Sequence, residues 1–297
     1  MRKFLKFLVV LALLGAAFAW WLSAPKRVDQ ARFAALTGDA THGEQVFWAA
    51  GCASCHAAPG AKGDARLVLS GGLGFATPFG TFHAPNISQS SSQGIGGWSL
   101  ADLANAVMQG VSPSGAHLYP AFPYTTYSHA KPQDIADLYA FLKTLPASDQ
   151  PNQAHDVGFP FNIRRGLGLW KVLFMRKGWV VADVTGEEAT RGRYLAEALG
   201  HCGECHTPRN AIGGPDYARW LQGAPTPDGK GKIPAITPDK LTWSTTDIAA
   251  YLSTGFTPEY DSAGGEMADV VQNLAHLPEA DLLAIAAYLK QVPAAAK

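Results

Sequence analysis

The sequence predicts an all-α fold: two tandem copies of one helical module, joined by a packed strap and preceded by one apolar helix. Three observations predict it. The motif Cys-x-x-Cys-His occurs twice, the helix-forming segments behind each copy keep the same spacing, and residues 7–22 form an almost unbroken apolar run. A chain of 297 residues can fold as two ordinary domains. Lys+Arg and Asp+Glu are equal at 24 each, which leaves no basic footprint for nucleic acid.

The N-terminal run follows Arg2, Lys3 and Lys6. Ala17-Phe18-Ala19 fits the cleavage site of a removed export signal. Trp20-Trp21, followed by Pro25-Lys26-Arg27, fits the interfacial belt of a retained helix, and 4–22 is long enough for one tilted span. The expectation is the retained anchor. Under either reading the basic residues stay inside, and the cysteines lie outside the cytoplasm.

All four cysteines fall in the two motifs, Cys52-Ala-Ser-Cys55-His56 and Cys202-Gly-Glu-Cys205-His206. A disulfide, a zinc half-site and a thioredoxin-like redox pair are the competing readings, and none needs the trailing histidine. Cys-x-x-Cys-His is the attachment signature of c-type haem. Positions i and i+3 share a helical face, so both sulfurs can reach the vinyl groups of one porphyrin. The next residue then offers its imidazole to the iron. The expectation is two covalently bound haem c groups, attached through Cys52, Cys55, Cys202 and Cys205, with His56 and His206 as proximal ligands.

The repeat extends beyond the motifs. Gly43 to Trp48 leads into the first and Gly192 to Glu197 into the second, with Thr41 and Thr190 as candidate helix caps. Trp98-Ser99-Leu100-Ala101-Asp102 and Trp243-Ser244-Thr245-Thr246-Asp247 each place a Ser before an acidic residue, a capping pattern, and Gly110 and Gly255 fit the C-caps. The last helix buries Ile135, Leu138, Tyr139 and Leu142 in one copy and Leu282, Ile285, Ala286 and Leu289 in the other, and ends at Pro146 or Pro293. Tyr139, Phe141 and Tyr288 read as core residues. Each copy resembles a class I cytochrome c domain, over 37–148 and 186–295. The connector, 149–185, is too apolar for a solvated linker. It reads as a strap across both copies or as a docking surface edged by Arg164, Arg165, Lys171, Arg176 and Lys177.

Cytochrome c domains of this type present a methionine sulfur opposite the histidine, from the loop before the last helix. Met267, in Gly264-Gly265-Glu266-Met267, is the expected sixth ligand of the second haem. The matching position of the first copy is Phe122, which cannot bind iron. There the expected ligand is His117, with Met108 or an open position as alternatives.

The segments Phe79 to Ser88, Gly94 to Ser99, Tyr119-Pro120-Ala121-Phe122-Pro123-Tyr124 and Gly265 to Val271 resemble those of membrane-associated, multi-haem cytochrome subunits of periplasmic dehydrogenases. Those subunits serve quinoprotein alcohol and sugar dehydrogenases and some molybdenum dehydrogenases. The resemblance covers most of residues 37–295. It implies an electron-transfer subunit on the periplasmic side of the bacterial inner membrane. Electrons would come from a dehydrogenase catalytic subunit and leave for a quinone, a soluble cytochrome or a terminal oxidase. Relatives of the quinoprotein type often carry three haems and a methionine where Phe122 stands. A haem enzyme acting at the first haem, such as a dihaem peroxidase or thiosulfate dehydrogenase, is the alternative reading.

Overall fold

A computed structural model describes residues 1–227 and 229–294, so the last residue of the predicted 186–295 copy lies outside the described residues. The first helix, α1 (Arg2–Leu22), has no buried residue and is long and apolar enough to cross a membrane. In the first copy follow α2 (Ala40–Ala49), the single turn α3 (Cys52–His56), the hairpin β1 (Gly74–Thr77) and β2 (Gly80–His83), α4 (Leu100–Gln109), α5 (Tyr124–Tyr127) and α6 (Pro132–Leu142). The connector contributes β3 (Asp156–Val157) and α7 (Gly166–Phe174). The second copy runs through α8 (Glu187–Tyr194), a π-helical turn over Leu195–Leu199, α9 (Cys202–His206), β4 (Ala224–Pro225), β5 (Lys232–Ile233), α10 (Thr245–Thr254), α11 (Glu266–Leu274) and α12 (Glu279–Leu289).

The all-α expectation is corrected to a helix-rich fold with two small sheets. β2 pairs antiparallel with β1 and, on its other edge, with β3; β4 pairs with β5. The strands are loop ladders: Thr77 closes the β1–β2 turn by donating its hydroxyl to the Gly80 carbonyl. Such short pieces carry too little apolar periodicity to be read from sequence.

Local signals place the main helices. Ser99/Asp102 and Ser244/Asp247 form complete capping boxes at the starts of α4 and α10. Gly110 and Gly255 close the same helices in the left-handed region, at φ 58° and 79°, where a Cβ is strained. The expected caps of the leading helices are corrected. Asp39, not Thr41, caps α2, accepting from the Thr41 amide at 2.8 Å. Gly186 opens α8, and the Thr190 hydroxyl folds back onto its carbonyl.

Within each copy the first and last long helices cross at a glycine. A Cβ on Gly43 would stand 2.0 Å from the Asp137 carbonyl oxygen, and one on Gly192 1.7 Å from that of Ala284. Nothing larger fits between the two backbones at this spacing. Around these crossings one continuous apolar cluster runs through both copies, with Phe47, Ile135 and Leu138 at one end and Leu195, Ile248 and Tyr288 at the other. Tyr139, Phe141 and Tyr288 belong to or pack on this core, as expected.

The connector packs as a strap. It touches both copies: His129 Nε2 of the first lies 3.2 Å from the Gly178 carbonyl, and the Glu197 carboxylate of the second accepts from the Val180 and Val181 amides. It also grips the end of α1. Arg165 donates to the Trp20 carbonyl and the Ser23 hydroxyl and lies over the Trp20 ring, satisfying carbonyls that every helix C-terminus leaves open. Gly168 abuts the Ser23 backbone. The outward stripe of α7, Leu169, Val172 and Leu173, is exposed, as are Phe159 and Ile163 before it.

Candidate functional site

Each Cys-x-x-Cys-His segment forms one helical turn entered through a left-handed residue, Gly51 at φ 66° and His201 at φ 42°. That turn puts both thiols of a pair on one side. The four cysteines are free and half-buried. Burial pushes every thiol up: Cys52 and Cys205 to about 12, Cys55 and Cys202 to about 11. These are not the activated thiolates of a redox pair. The zinc reading fails on geometry: among the described residues the only cluster of three possible metal ligands is His42, Asp134 and Asp137, away from both motifs.

The histidines are held alike in both copies. His56 Nδ1 lies 2.8 Å from the Pro85 carbonyl, and His206 Nδ1 lies 2.8 Å from that of Pro234. A carbonyl only accepts, so Nδ1 carries the proton and Nε2 keeps its lone pair for a metal. Burial holds both imidazoles below the ordinary histidine range, with the prolyl carbonyl opposing, which keeps them neutral. A second pair of contacts repeats the match. The Gly71 amide donates to the His56 carbonyl and the Gly223 amide to that of His206, both at 2.7 Å. A Cβ on Gly71 would meet the Ala84–Asn86 backbone, and one on Gly223 the Ile233–Ala235 backbone.

Paired thiols one turn apart, followed by an oriented neutral imidazole, fit haem c in each copy. Bound there, the group would supply a one-electron iron couple. The prolyl carbonyls escaped the sequence reading, although Ala84-Pro85-Asn86-Ile87 and Ile233-Pro234-Ala235-Ile236 share a Pro-x-Ile pattern that signals them.

The two sites are neighbours. The Tyr127 hydroxyl donates to the Ala50 carbonyl at 2.6 Å, and its ring meets His201 edge-on. His201 Nε2 stands 3.3 Å from where a Cβ on Gly51 would lie. The exchange is reciprocal: α5 of the first copy sends Thr125 to Glu204 in the second motif, and α11 of the second sends Asn273 to Ser54 in the first.

Of the expected distal ligands, Met267 is half-buried in the first turn of α11, against the core. His117, the expected ligand of the first iron, lies at the junction with α1. Its Nε2 lies 2.9 Å from the Ser23 carbonyl and its Nδ1 3.0 Å from Lys171 Nζ, and the residue is 3% exposed. Both ring nitrogens are taken up by the junction with α1. Met108 is 2% exposed within the core cluster.

Comparison with known proteins agrees with this geometry. Residues 40–146 match the family described as cytochrome c. Over 294 residues, 99% of each chain, the sequence is 58% identical to a "Diheme cytochrome c-type" protein of Cereibacter sphaeroides. It is 37% identical over 265 residues to the fructose dehydrogenase cytochrome subunit of Gluconobacter japonicus, covering 86% of this chain and 53% of that one. It is 36% identical over 282 residues to the gluconate 2-dehydrogenase cytochrome c subunit of Pantoea cypripedii, covering 88% and 63%. The chain thus spans little more than half the length of these dehydrogenase subunits.

Proposed function

The chain belongs to the cytochrome c family, and from that premise we propose that it is a dihaem electron-transfer subunit serving a periplasmic dehydrogenase. Its relatives include cytochrome subunits of dehydrogenase complexes, which carry electrons and leave substrate chemistry to another subunit. The observation that carries the proposal is the twinned histidine–prolyl carbonyl contact behind each Cys-x-x-Cys pair, at two sites whose entry turns touch.

In this reading Cys52/Cys55 and Cys202/Cys205 hold one haem each, His56 and His206 are the proximal ligands, and Met267 closes the second haem. Adjacent attachment turns support a single electron-transfer unit with two haems. A partner can then deliver charge at one copy and an acceptor remove it at the other. Helix α1 anchors the unit in the inner membrane with the haem-bearing copies outside. Candidate acceptors are a quinone, a soluble cytochrome or a terminal oxidase.

Two experiments test this. Alkaline pyridine spectra should give two haems per chain, and replacing Cys52 with Cys55, or Cys202 with Cys205, by Ala should remove one each. Tagged full-length protein purified from native membranes should bring down a redox enzyme whose substrate reduces the haems. Fewer than two haems, or reduction by no co-purifying enzyme, would sink the proposal.

A further inference from the structure

The two distal loops keep the same register. In the first copy the Leu118 amide donates to the carbonyl of the C-cap Gly110, beside a bridge between Val111 and His117. In the second the Ala263 amide donates to Gly255, beside a bridge between Phe256 and Ser262; both bonds measure 2.7 Å. His117 is therefore the counterpart of Ser262. Counting on equally from each bridge brings Phe122 to the place of Met267. Both side chains are half-buried and pack on the same core cluster. Phe122 also lies 5.7 Å from the Tyr127 ring, which caps the entry to the first attachment turn.

The other histidines and methionines are placed as follows. His42 pairs with Asp137 at 2.7 Å, His129 reaches Gly178, and His276 stacks on Trp48 at 3.8 Å. His155 Nδ1 accepts the His83 amide, and its ring stands edge-on to Phe82 and Tyr119. His201 belongs to the entry of the second motif, where its ring meets Tyr127 edge-on. His83 ends β2, two residues before the Pro85 whose carbonyl holds the proximal imidazole, with its Nδ1 buried and without a hydrogen-bond partner. Met108 is buried in the core, and Met175 ends α7 in the connector.

We infer that the first haem has no protein ligand on its distal side, and that its ferrous iron takes a neutral diatomic molecule, of the class of carbon monoxide and nitric oxide, against a wall formed by Phe122. The inference rests on the reading that both motifs carry haem. An apolar wall suits such a ligand, because neither partner loses a hydrogen bond to water on binding. A phenyl ring offers no lone pair, so the iron keeps one position free.

The test uses the full chain in detergent, with haem content measured first. Two haems per chain establish the underlying reading; fewer refute it separately. Titration of the reduced protein with carbon monoxide should then bind one molecule per chain. The oxidised protein should show equal amounts of high-spin and low-spin haem by electron paramagnetic resonance. Phe122→Met should convert the high-spin haem to low-spin, add a second sulfur-to-iron charge-transfer band and weaken carbon monoxide binding at least tenfold. Phe122→Leu should keep one site, and Met267→Ala should raise the count to two. Two low-spin haems with no carbon monoxide bound to the unaltered protein overturn the inference. So does a Phe122→Met protein with unchanged spin state and affinity, since Phe122 would then not face the iron.

Discussion

At the α8–α12 crossing, helix propensity and packing make opposite demands on one residue. Replacing Gly192 by Ala in the middle of a helix gains about 1 kcal/mol from propensity alone. Yet the new Cβ would stand 1.7 Å from the Ala284 carbonyl oxygen and 2.4 Å from its carbon. Both are backbone atoms, so no rotamer relieves the clash, and the helices must part by on the order of 1.5 Å. That gap would run beside Tyr288, Ala286 and Leu289, which are at most 4% exposed. Overpacking of a closed core costs roughly 1–3 kcal/mol, and opened contacts along several buried side chains place this site at the upper end or beyond. The net loss should be about 2–3 kcal/mol. For a copy of this size that lowers the unfolding midpoint by roughly 10–20 °C. Thermal unfolding of the haem-loaded chain, followed by far-ultraviolet circular dichroism, measures it. Gly97→Ala is the control, because no atom lies within 4 Å of its added Cβ. A Gly192→Ala protein as stable as the Gly97→Ala control would refute the close-crossing argument.

Three further outcomes follow from the site and the junction. Met267→Ala should abolish the charge-transfer band of the oxidised protein and lower the potential of one haem, since a thioether favours reduced iron; Met267→His should restore low-spin iron at a lower potential. Lys171 Nζ donates to the Gln109 and Gly110 carbonyls, so Lys171→Met should leave both unpartnered at a cost of about 1–3 kcal/mol, read as faster proteolysis of the connector. Burial pulls this ammonium from its ordinary 10.5 to about 7. The unfolded chain therefore holds the extra proton between those values, and stability should rise with pH across that window and fall as pH drops toward 7, a slope that Lys171→Met removes. Arg165→Gln should loosen the end of α1 by roughly 1–2 kcal/mol, seen as faster amide exchange at Ser23 and Ala24.

What could be read in advance was local. The haem motifs, the Ser99/Asp102 and Ser244/Asp247 boxes and the capping glycines each depend on residues within one or two turns, and repetition doubled each signal. The glycines at 43 and 192 were visible as part of the repeat, but their purpose, a helix crossing, appears only when α6 and α12 arrive from far along the chain. His117 shows the limit most clearly. Its place five residues before Phe122 suggested iron, while its partners, Ser23 and Lys171, lie in segments that sequence spacing cannot bring together. The loop that carries His117 keeps its register with the second copy, so Phe122 and Met267 differ at one matched position.

The grip of Arg165, Gly168 and His117 on the last turn of α1 changes what kind of attachment that helix is. A protein on a slack tether samples a hemisphere of orientations and meets its partners by chance within the reach of the linker. Here the post is bolted to the body it carries. Under the anchored, dihaem reading proposed above, the stand-off of the haem pair from the bilayer and its tilt would be fixed before any encounter, and collisions with other membrane-bound carriers would reduce to sliding in a plane. Loosening that joint would leave each haem's spectrum and potential alone, yet slow every transfer that depends on which face points along the membrane.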